Sequence, residues 1–268
     1  MNLLHALIFG AVEGITEFLP ISSTGHLILT AKILGIAESE FVKSFEIIIQ
    51  LGAILAVVVL YFKTFFRNIE ALKRIIVAFI PTGILGLAFY KLVKTYLLGN
   101  STVVLSALFI GGIIIVLFEL FHREPAHATE LRRVPHEAHA APEIEKISYR
   151  KAFFIGVFQS IAMVPGVSRS AATIIGGLFL GLKRTAATEF SFLVAVPTMA
   201  AATGLDLVKN ASSFSFGQID LLLVGFAVSF FVALLSVRLL LKFVKTHTFL
   251  PFGVYRIVAA AAFWLLVL

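Results

Sequence analysis

Apolar runs close to the length of a membrane-spanning helix recur along the whole chain, and short polar or basic segments separate them. A spanning helix needs about 20 consecutive apolar residues. A single signal peptide cannot account for so many runs, so the pattern predicts an all-α polytopic membrane protein. About six full transmembrane helices are expected, over residues 45–62, 75–91, 103–120, 190–207, 221–241 and 250–268.

The composition supports a membrane protein and excludes several other classes. Of the 268 residues, 59% are hydrophobic and 14% are charged, with a mean hydropathy of +1.01. A soluble domain is only about 45 to 50% apolar. The absence of cysteine excludes disulfides and thiolate metal sites. The formal net charge of +7 comes from basic residues between apolar runs, which indicates membrane topology rather than nucleic-acid binding.

One polar stretch, residues 10–27, interrupts the apolar pattern near the start of the chain. If the chain is helical up to Pro20, Glu13 and Glu17 lie one turn apart on the same face. Like charges in apolar surroundings are costly unless they are paired, protonated or bound to a cation. The stretch therefore predicts a partner from elsewhere in the chain. After Pro20 the stretch also contains the polar residues Ser22, Ser23, Thr24 and His26.

Three of these residues allow a structural or a catalytic interpretation. Ser22 and Ser23 suit the N-cap of a helix that follows Pro20. His26 lies one turn after Ser23, where it suits nucleophile activation or proton transfer. A lone histidine is more often a satisfied core residue, but this one is accompanied by two carboxylates.

The pattern restarts at Tyr149 and repeats the beginning of the chain. An offset of 145 residues aligns Pro20 with Pro165, and it places Ser23 on Ser168. We therefore predict two homologous halves, 1–121 and 149–268, each with one re-entrant helix-loop-helix segment and three spans. Between them, residues 122–148 are polar and contain four histidines, which predicts an exposed linker without assigned chemistry.

The distribution of basic residues gives the orientation of the two halves. Most Lys and Arg residues fall on the side of the linker, so the positive-inside rule places the linker in the cytoplasm. The first re-entrant segment then opens outward and the second opens inward. This is an inverted-topology repeat, in which broken helices meet near the bilayer midplane and line a polar cavity.

The second polar loop has the residue types of a phosphate-binding site. Ser168 is a plausible N-cap, Arg169 is a permanently charged donor, and Ser170 and Thr173 add hydroxyls. The structural alternative is an ion pair in which Arg169 only neutralises one of the two carboxylates, with the hydroxyls acting as caps. Three further polar residues could either contact the site residues from outside or form simple interhelical hydrogen bonds. These residues are Glu46, Gln50 and Glu189.

Four segments carry a resemblance to a known family. The stretch 13–26 reads EGITEFLPISSTGH, and it is followed by FEIIIQLG at 45–52, PGVSRSAAT at 165–173 and EFSF at 189–192. In this order they resemble the bacterial undecaprenyl-diphosphate phosphatases of the bacitracin-resistance type. The resemblance covers nearly the whole chain except the linker. It implies an inner-membrane enzyme that removes the terminal phosphate of a polyprenyl diphosphate lipid carrier used in peptidoglycan synthesis, with a divalent cation.

The resemblance also implies which residues form the active site. It places Glu17, Ser23, His26 and Arg169 at the family's catalytic positions. We expect Ser23 as nucleophile with His26 as its general base, although attack by His26 or by a metal-bound water is left open. A cation, Mg²⁺ or Ca²⁺, would be held by Glu13 and Glu17. The expected substrate-binding residues are Ser22, Thr24, Ser168, Ser170 and Thr173.

Two other functions are compatible with parts of the sequence. A transporter or flippase of a polyprenyl phosphate lipid would share the inverted repeat and the anion site. A lipid phosphatase of the acid-phosphatase superfamily is excluded, because Ile175 stands where that pattern has a histidine and no Lys and Arg-Pro motif precedes it. We expect the active site to be reached from the periplasmic side. The oligomeric state is left open, a homodimer included.

Overall fold

A computed structural model describes residues 1–37, 39–97, 100–122, 141–209 and 218–267 of the chain. All regular secondary structure in these ranges is helical, which confirms the predicted all-α class. Most of the predicted linker, residues 123–140, lies outside the described residues. The helices are α1 (Leu3–Thr16), α2 (Ser23–Ile33), α3 (Glu40–Leu60), α4 (Phe62–Arg67), α5 (Ile69–Leu92), α6 (Ser101–Phe121), α7 (Ala141–Ile144), α8 (Tyr149–Ser160), α9 (Arg169–Phe179), α10 (Arg184–Lys209), α11 (Ile219–Val244) and α12 (Leu250–Val267).

Five helices in the described part of the chain are long and apolar enough to cross a membrane. They are α3, α5, α6, α10 and α11, and they contain the first five predicted spans or most of their length. The sixth predicted span corresponds to α12, whose apolar part, Leu250–Leu265, is shorter. The structure therefore confirms a multi-span helical protein with five candidate spans, and the sixth span stays a prediction.

Four further helices are too short to cross a bilayer. Helices α1, α2, α8 and α9 contain 14, 11, 12 and 11 residues. At about 1.5 Å per residue they extend roughly 16 to 21 Å, well below the hydrocarbon thickness of about 30 Å. Each pair is interrupted near a proline, at Pro20 and at Pro165. The breaks place polar loop residues among the long helices.

Glycines allow the short helices to pack closely against long ones. A Cβ atom at Gly10 of α1 would lie 2.7 Å from the carbonyl oxygen of Gly225 in α11, and one at Gly14 would lie 2.7 Å from the carbonyl of Ser229. A Cβ at Gly156 of α8 would overlap the main chain of α5 in the same way. The first helix of each predicted half therefore packs on a long helix of the other half.

The two broken-helix segments share their local backbone geometry. Ser22 and Ser168 have φ angles of 72° and 75°, and no other non-glycine residue in the described ranges has a positive φ. Gly35 and Gly181, after the second helix of each segment, have φ angles of 63° and 78°. Both pairs are 146 positions apart. The backbone therefore pairs Ser22 with Ser168, one residue away from the predicted alignment, which paired Ser23 with Ser168.

Candidate active site

The carboxylate of Glu17 joins the two polar loops. Its Oε2 accepts a hydrogen bond from Ser23 Oγ at 2.5 Å, and its Oε1 accepts one from Arg169 Nη2 at 2.7 Å. The Glu17 and Arg169 side chains are only 7% and 12% exposed, so this ion pair is largely shielded from water. Three of the predicted site residues, separated by up to 152 positions, therefore meet at one carboxylate.

Arg169 also contacts residues that the sequence did not single out. Its Nη1 donates to the carbonyl of Ser191 at 3.1 Å, and its Nη2 also approaches the Met199 sulfur at 3.3 Å. The guanidinium carbon lies 5.6 Å from the centre of the Phe18 ring. The Arg169 Nε atom is buried and has no hydrogen-bond partner. One donor of the guanidinium is thus available for an additional acceptor.

Helix N-termini place the two central side chains of the site. Ser23 and Arg169 are the first residues of α2 and α9. The preceding residues, Ser22 and Ser168, cap these helices, and each hydroxyl accepts a hydrogen bond from the amide three residues later, at 3.5 and 3.2 Å. The N-terminal ends of α2 and α9, which carry positive partial charge, therefore supply the two side chains that bond to Glu17, and such ends favour binding of an anion.

The other predicted substrate-binding hydroxyls differ in their accessibility. Ser170 is completely buried, and its Oγ donates to the carbonyl of Leu19 in the first loop at 2.7 Å. Thr173 is also buried and donates to Ser191 Oγ at 2.6 Å. Thr24 is exposed. Ser170 thus links the two loops directly, and Thr24 is the hydroxyl with open access.

His26 lies beside the site but does not contact Ser23. Its Nδ1 is 2.7 Å from the carbonyl oxygen of Ser22, and its Nε2 is 2.7 Å from the hydroxyl of Tyr255 in α12. The structure therefore shows no direct hydrogen bond between Ser23 and His26, and the expected role of His26 as general base for Ser23 stays a prediction. The Ser22 carbonyl oxygen also accepts the main-chain N–H of His26 at 3.3 Å, and the Ser23 hydroxyl bonds to Glu17.

Glu13 is buried without any hydrogen-bond partner. The residue is 1% exposed, and neither carboxylate oxygen is paired. Its electrostatic neighbours are Glu17, Glu46 and Arg169. An unpaired carboxylate is costly to bury, and its oxygens are ligands that Mg²⁺ and Ca²⁺ accept. No group of three or more His, Asp or Glu side chains in the described ranges forms a ready metal site.

The remaining predicted outer partners lie in different surroundings. Gln50 accepts a hydrogen bond from Thr203 of α10 at 3.3 Å, which is the interhelical role that the sequence also allowed. Glu189 has Tyr61, Glu143 and Lys245 as electrostatic neighbours, and none of these belongs to the two loops. Glu46 is an electrostatic neighbour of the site carboxylate Glu13.

Comparisons with known proteins identify the family. Residues 6–262 match the family described as bacitracin resistance protein BacA. The chain belongs to this family. The undecaprenyl-diphosphatase of Aquifex aeolicus is 53% identical over 264 residues, which cover 97% of this chain and 98% of that protein. The corresponding enzyme of Sulfurihydrogenibium sp. is 51% identical and covers 99% of each chain, and that of Persephonella marina is 49% identical over the full length of both.

Proposed function

We propose that this BacA-family chain hydrolyses undecaprenyl diphosphate to undecaprenyl phosphate and inorganic phosphate, the activity for which its relatives are named. The observation that carries this proposal is the Glu17 carboxylate held between the Ser23 hydroxyl and the Arg169 guanidinium. One hydrogen-bond network thus contains a nucleophile, a proton acceptor and a cation for phosphate. The product is the lipid carrier of peptidoglycan synthesis, so this activity would support cell-wall formation and bacitracin resistance.

Ser23 is the proposed nucleophile and Glu17 its proton acceptor. Ser23 Oγ attacks the terminal phosphorus while its proton moves to Glu17 Oε2, which is already at 2.5 Å. The phosphoanhydride bond breaks, and undecaprenyl phosphate leaves. Water then transfers its hydroxyl to the phosphorus and releases a proton to solvent. The Ser23–phosphorus bond breaks, and the serine oxygen recovers its proton from Glu17.

Arg169 is the proposed phosphate-binding cation. Its planar fork suits phosphate oxygens, and phosphoryl transfer depends mainly on positioning and charge stabilisation. The buried Nε without a partner is a donor that a phosphate oxygen would satisfy. The same guanidinium also neutralises Glu17, as the structural alternative required. The two interpretations of Arg169 are therefore compatible.

His26 is the alternative nucleophile. If its Nδ1–H donates to the Ser22 carbonyl, its Nε2 carries no proton and accepts from the Tyr255 hydroxyl. A neutral nitrogen of this kind can attack phosphorus or take a proton from water. The distance to Tyr255, 2.7 Å, means that substrate would have to displace this hydroxyl first.

We assign the divalent cation, Mg²⁺ or Ca²⁺, to the carboxylates of Glu13 and Glu17. The unpaired, buried oxygens of Glu13 support this assignment. When bound, the cation would offset part of the charge of the diphosphate. A thermal shift on addition of Ca²⁺ to the wild type, lost in Glu13→Gln, tests binding independently of turnover. Chelator should abolish phosphate release, and added cation should restore it.

We also propose the inverted-topology repeat with α1–α2 and α8–α9 as re-entrant segments. Three observations support it: the four helices are too short to span, the caps Ser22 and Ser168 share an uncommon φ, and the terminal glycines Gly35 and Gly181 match at the same spacing. With the basic loops in the cytoplasm, the first segment opens to the periplasm. Substrate would then enter the site from that side of the inner membrane.

Phosphate release by the purified protein in detergent tests the proposed function. Wild type should release phosphate from undecaprenyl diphosphate, and Arg169→Ala should not. Detergent solution has only one compartment, so a transporter or flippase would show no turnover in this assay. Binding of the lipid without phosphate release would favour that alternative.

A further inference from the structure

Arg256 of α12 is a buried cation that the proposed reaction does not use. Its side chain is completely buried and is among the largest fully buried side chains in the described ranges. No carboxylate among the described residues forms an ion pair with it. A buried charge is costly without compensation, so its hydrogen bonds indicate what the residue does.

The Arg256 guanidinium donates only to main-chain carbonyl oxygens, and it reaches both polar loops. Nη1 binds the oxygens of Pro20 at 3.3 Å and Val167 at 2.9 Å, and Nη2 binds that of Gly166 at 2.9 Å. Nε and Nη2 also bind carbonyls of α6, those of Leu108 and Ala107, at 3.2 Å each. Loop carbonyls buried away from water need such partners.

The bound loop carbonyls occupy matching positions. Pro20 precedes the cap Ser22 by two residues, and Gly166 precedes the cap Ser168 by two. One guanidinium therefore holds the same point of both loops. The carbonyls that Arg256 binds therefore lie two or three residues before Ser23 and Arg169, the two residues that meet on Glu17.

Space for this contact is built by glycines. A Cβ at Gly111 of α6 would overlap the Arg256 guanidinium, so only glycine leaves room for it there. A Cβ at Gly166, where φ is +95°, would overlap the carbonyl of Val104, so the second loop lies directly on α6. The site of Arg256 is thus formed jointly by α6, α12 and both loops.

We propose that Arg256 is a positioning residue for the phosphatase reaction, whose guanidinium clamps the two loops so that Ser23 and Arg169 both reach Glu17. This inference rests on the proposed function. Lysine would keep the charge but could not reproduce the planar fork that spans both loops. A misplacement of about 1 Å in an active site can reduce turnover by about 10²-fold.

The first test measures kcat, KM and thermal stability of Arg256→Gln and Arg256→Lys in detergent. The matched control is Arg238→Gln, which changes an exposed arginine of α11, the preceding helix in the chain. We expect kcat of Arg256→Gln to fall about 10²-fold, with an intermediate loss for lysine and wild-type kinetics for the control. When Arg169 is already replaced by lysine, Arg256→Gln should reduce kcat by less than about tenfold, because the effects of residues that act as a unit are not additive.

The second test measures the loops without relying on turnover. The chain has no cysteine, so spin labels can be attached to single cysteines introduced at the exposed positions Thr24 and Ile161. Their distance distribution should be narrow in the wild type and in Arg238→Gln, and broader in Arg256→Gln. If wild type releases no phosphate, the proposed function fails, whereas this distance measurement still tests the clamp.

Several results would overturn the proposal. One is an unchanged distance distribution in Arg256→Gln. Another is a kcat of folded Arg256→Gln within about threefold of wild type. A third is an equal loss of kcat on Arg256→Gln in the wild-type and Arg169→Lys backgrounds. If the glutamine variant does not fold, wild-type kcat in Arg256→Lys would refute the clamp. If neither variant folds, Arg256 stabilises the fold and has no separate positioning role.

Discussion

Replacement of Glu17 by glutamine probes the centre of the proposed mechanism. The change keeps the shape of the side chain, but it removes the charge that accepts from Ser23 at 2.5 Å and from Arg169 at 2.7 Å. Loss of proton-acceptor function usually reduces turnover about 10² to 10⁴-fold. We expect kcat of Glu17→Gln to fall by that factor in a phosphate-release assay.

The same change should also lower stability, because it leaves a cation unpaired. Arg169 is only 12% exposed, and breaking a buried ion pair on one side typically costs about 3 to 5 kcal/mol. Replacement of both partners of a buried ion pair by apolar residues of similar volume is often neutral or stabilising. The double variant Glu17→Met/Arg169→Met should therefore be more stable than Glu17→Gln while staying inactive. That separation distinguishes a catalytic defect from simple unfolding.

A matched control is Glu40→Gln, since Glu40 forms an ion pair with Lys43 at the start of α3 in which both side chains are exposed. Exposed ion pairs contribute little to stability, so phosphate release by this control should stay at the wild-type level. The reasoning is refuted if folded Glu17→Gln keeps more than about a tenth of the wild-type kcat, because a proton acceptor worth at least about 10²-fold would then be elsewhere.

Three further changes test other parts of the site. Ser23→Ala should severely reduce kcat, and adding Glu17→Gln should reduce it no further, because the two residues act as a unit. If Ser23→Ala keeps near-normal turnover while His26→Ala is inactive, the nucleophile is His26 or a water that it activates. Tyr255→Phe removes only the hydroxyl on His26 Nε2, so kcat should fall less than about tenfold, and a larger loss would indicate direct contact with substrate. Impermeant thiol labelling should reach a cysteine at Ser39 from outside and one at residue 140, beyond the described residues, only from the cytoplasm; the reverse would overturn the topology.

The sequence predicted the parts of the site that depend on local pattern. Polar residues within an apolar segment identified Glu17, Ser23 and Arg169, because charges in such surroundings need a partner. The helix-breaking prolines Pro20 and Pro165 predicted the two interruptions, and the lengths of the apolar runs predicted the five candidate spans. The offset of 145 missed the backbone correspondence by one residue, because it was anchored on prolines rather than on the caps Ser22 and Ser168.

The parts that sequence reasoning missed depend on contacts between distant helices. Tyr255 is 229 positions from His26, and no local pattern connects them. Arg256 lies in an apolar helix where a basic residue is easily taken for a membrane-interface anchor. Ser191 contributes its carbonyl to Arg169, and a main-chain acceptor carries no information about residue type. Such roles follow from packing, which one sequence without its fold does not determine.

The close packing of Gly10 and Gly14 against α11 has a consequence for biogenesis. About 200 residues separate the end of α1 from the start of α11. At about 5 to 20 residues per second, the ribosome needs roughly 10 to 40 s to synthesise this length. During that interval α1 has left the ribosome, but the helix that receives its glycine face does not yet exist. The buried carboxylates on this helix can therefore reach their final surroundings only late in membrane insertion, after nearly the whole chain has been made.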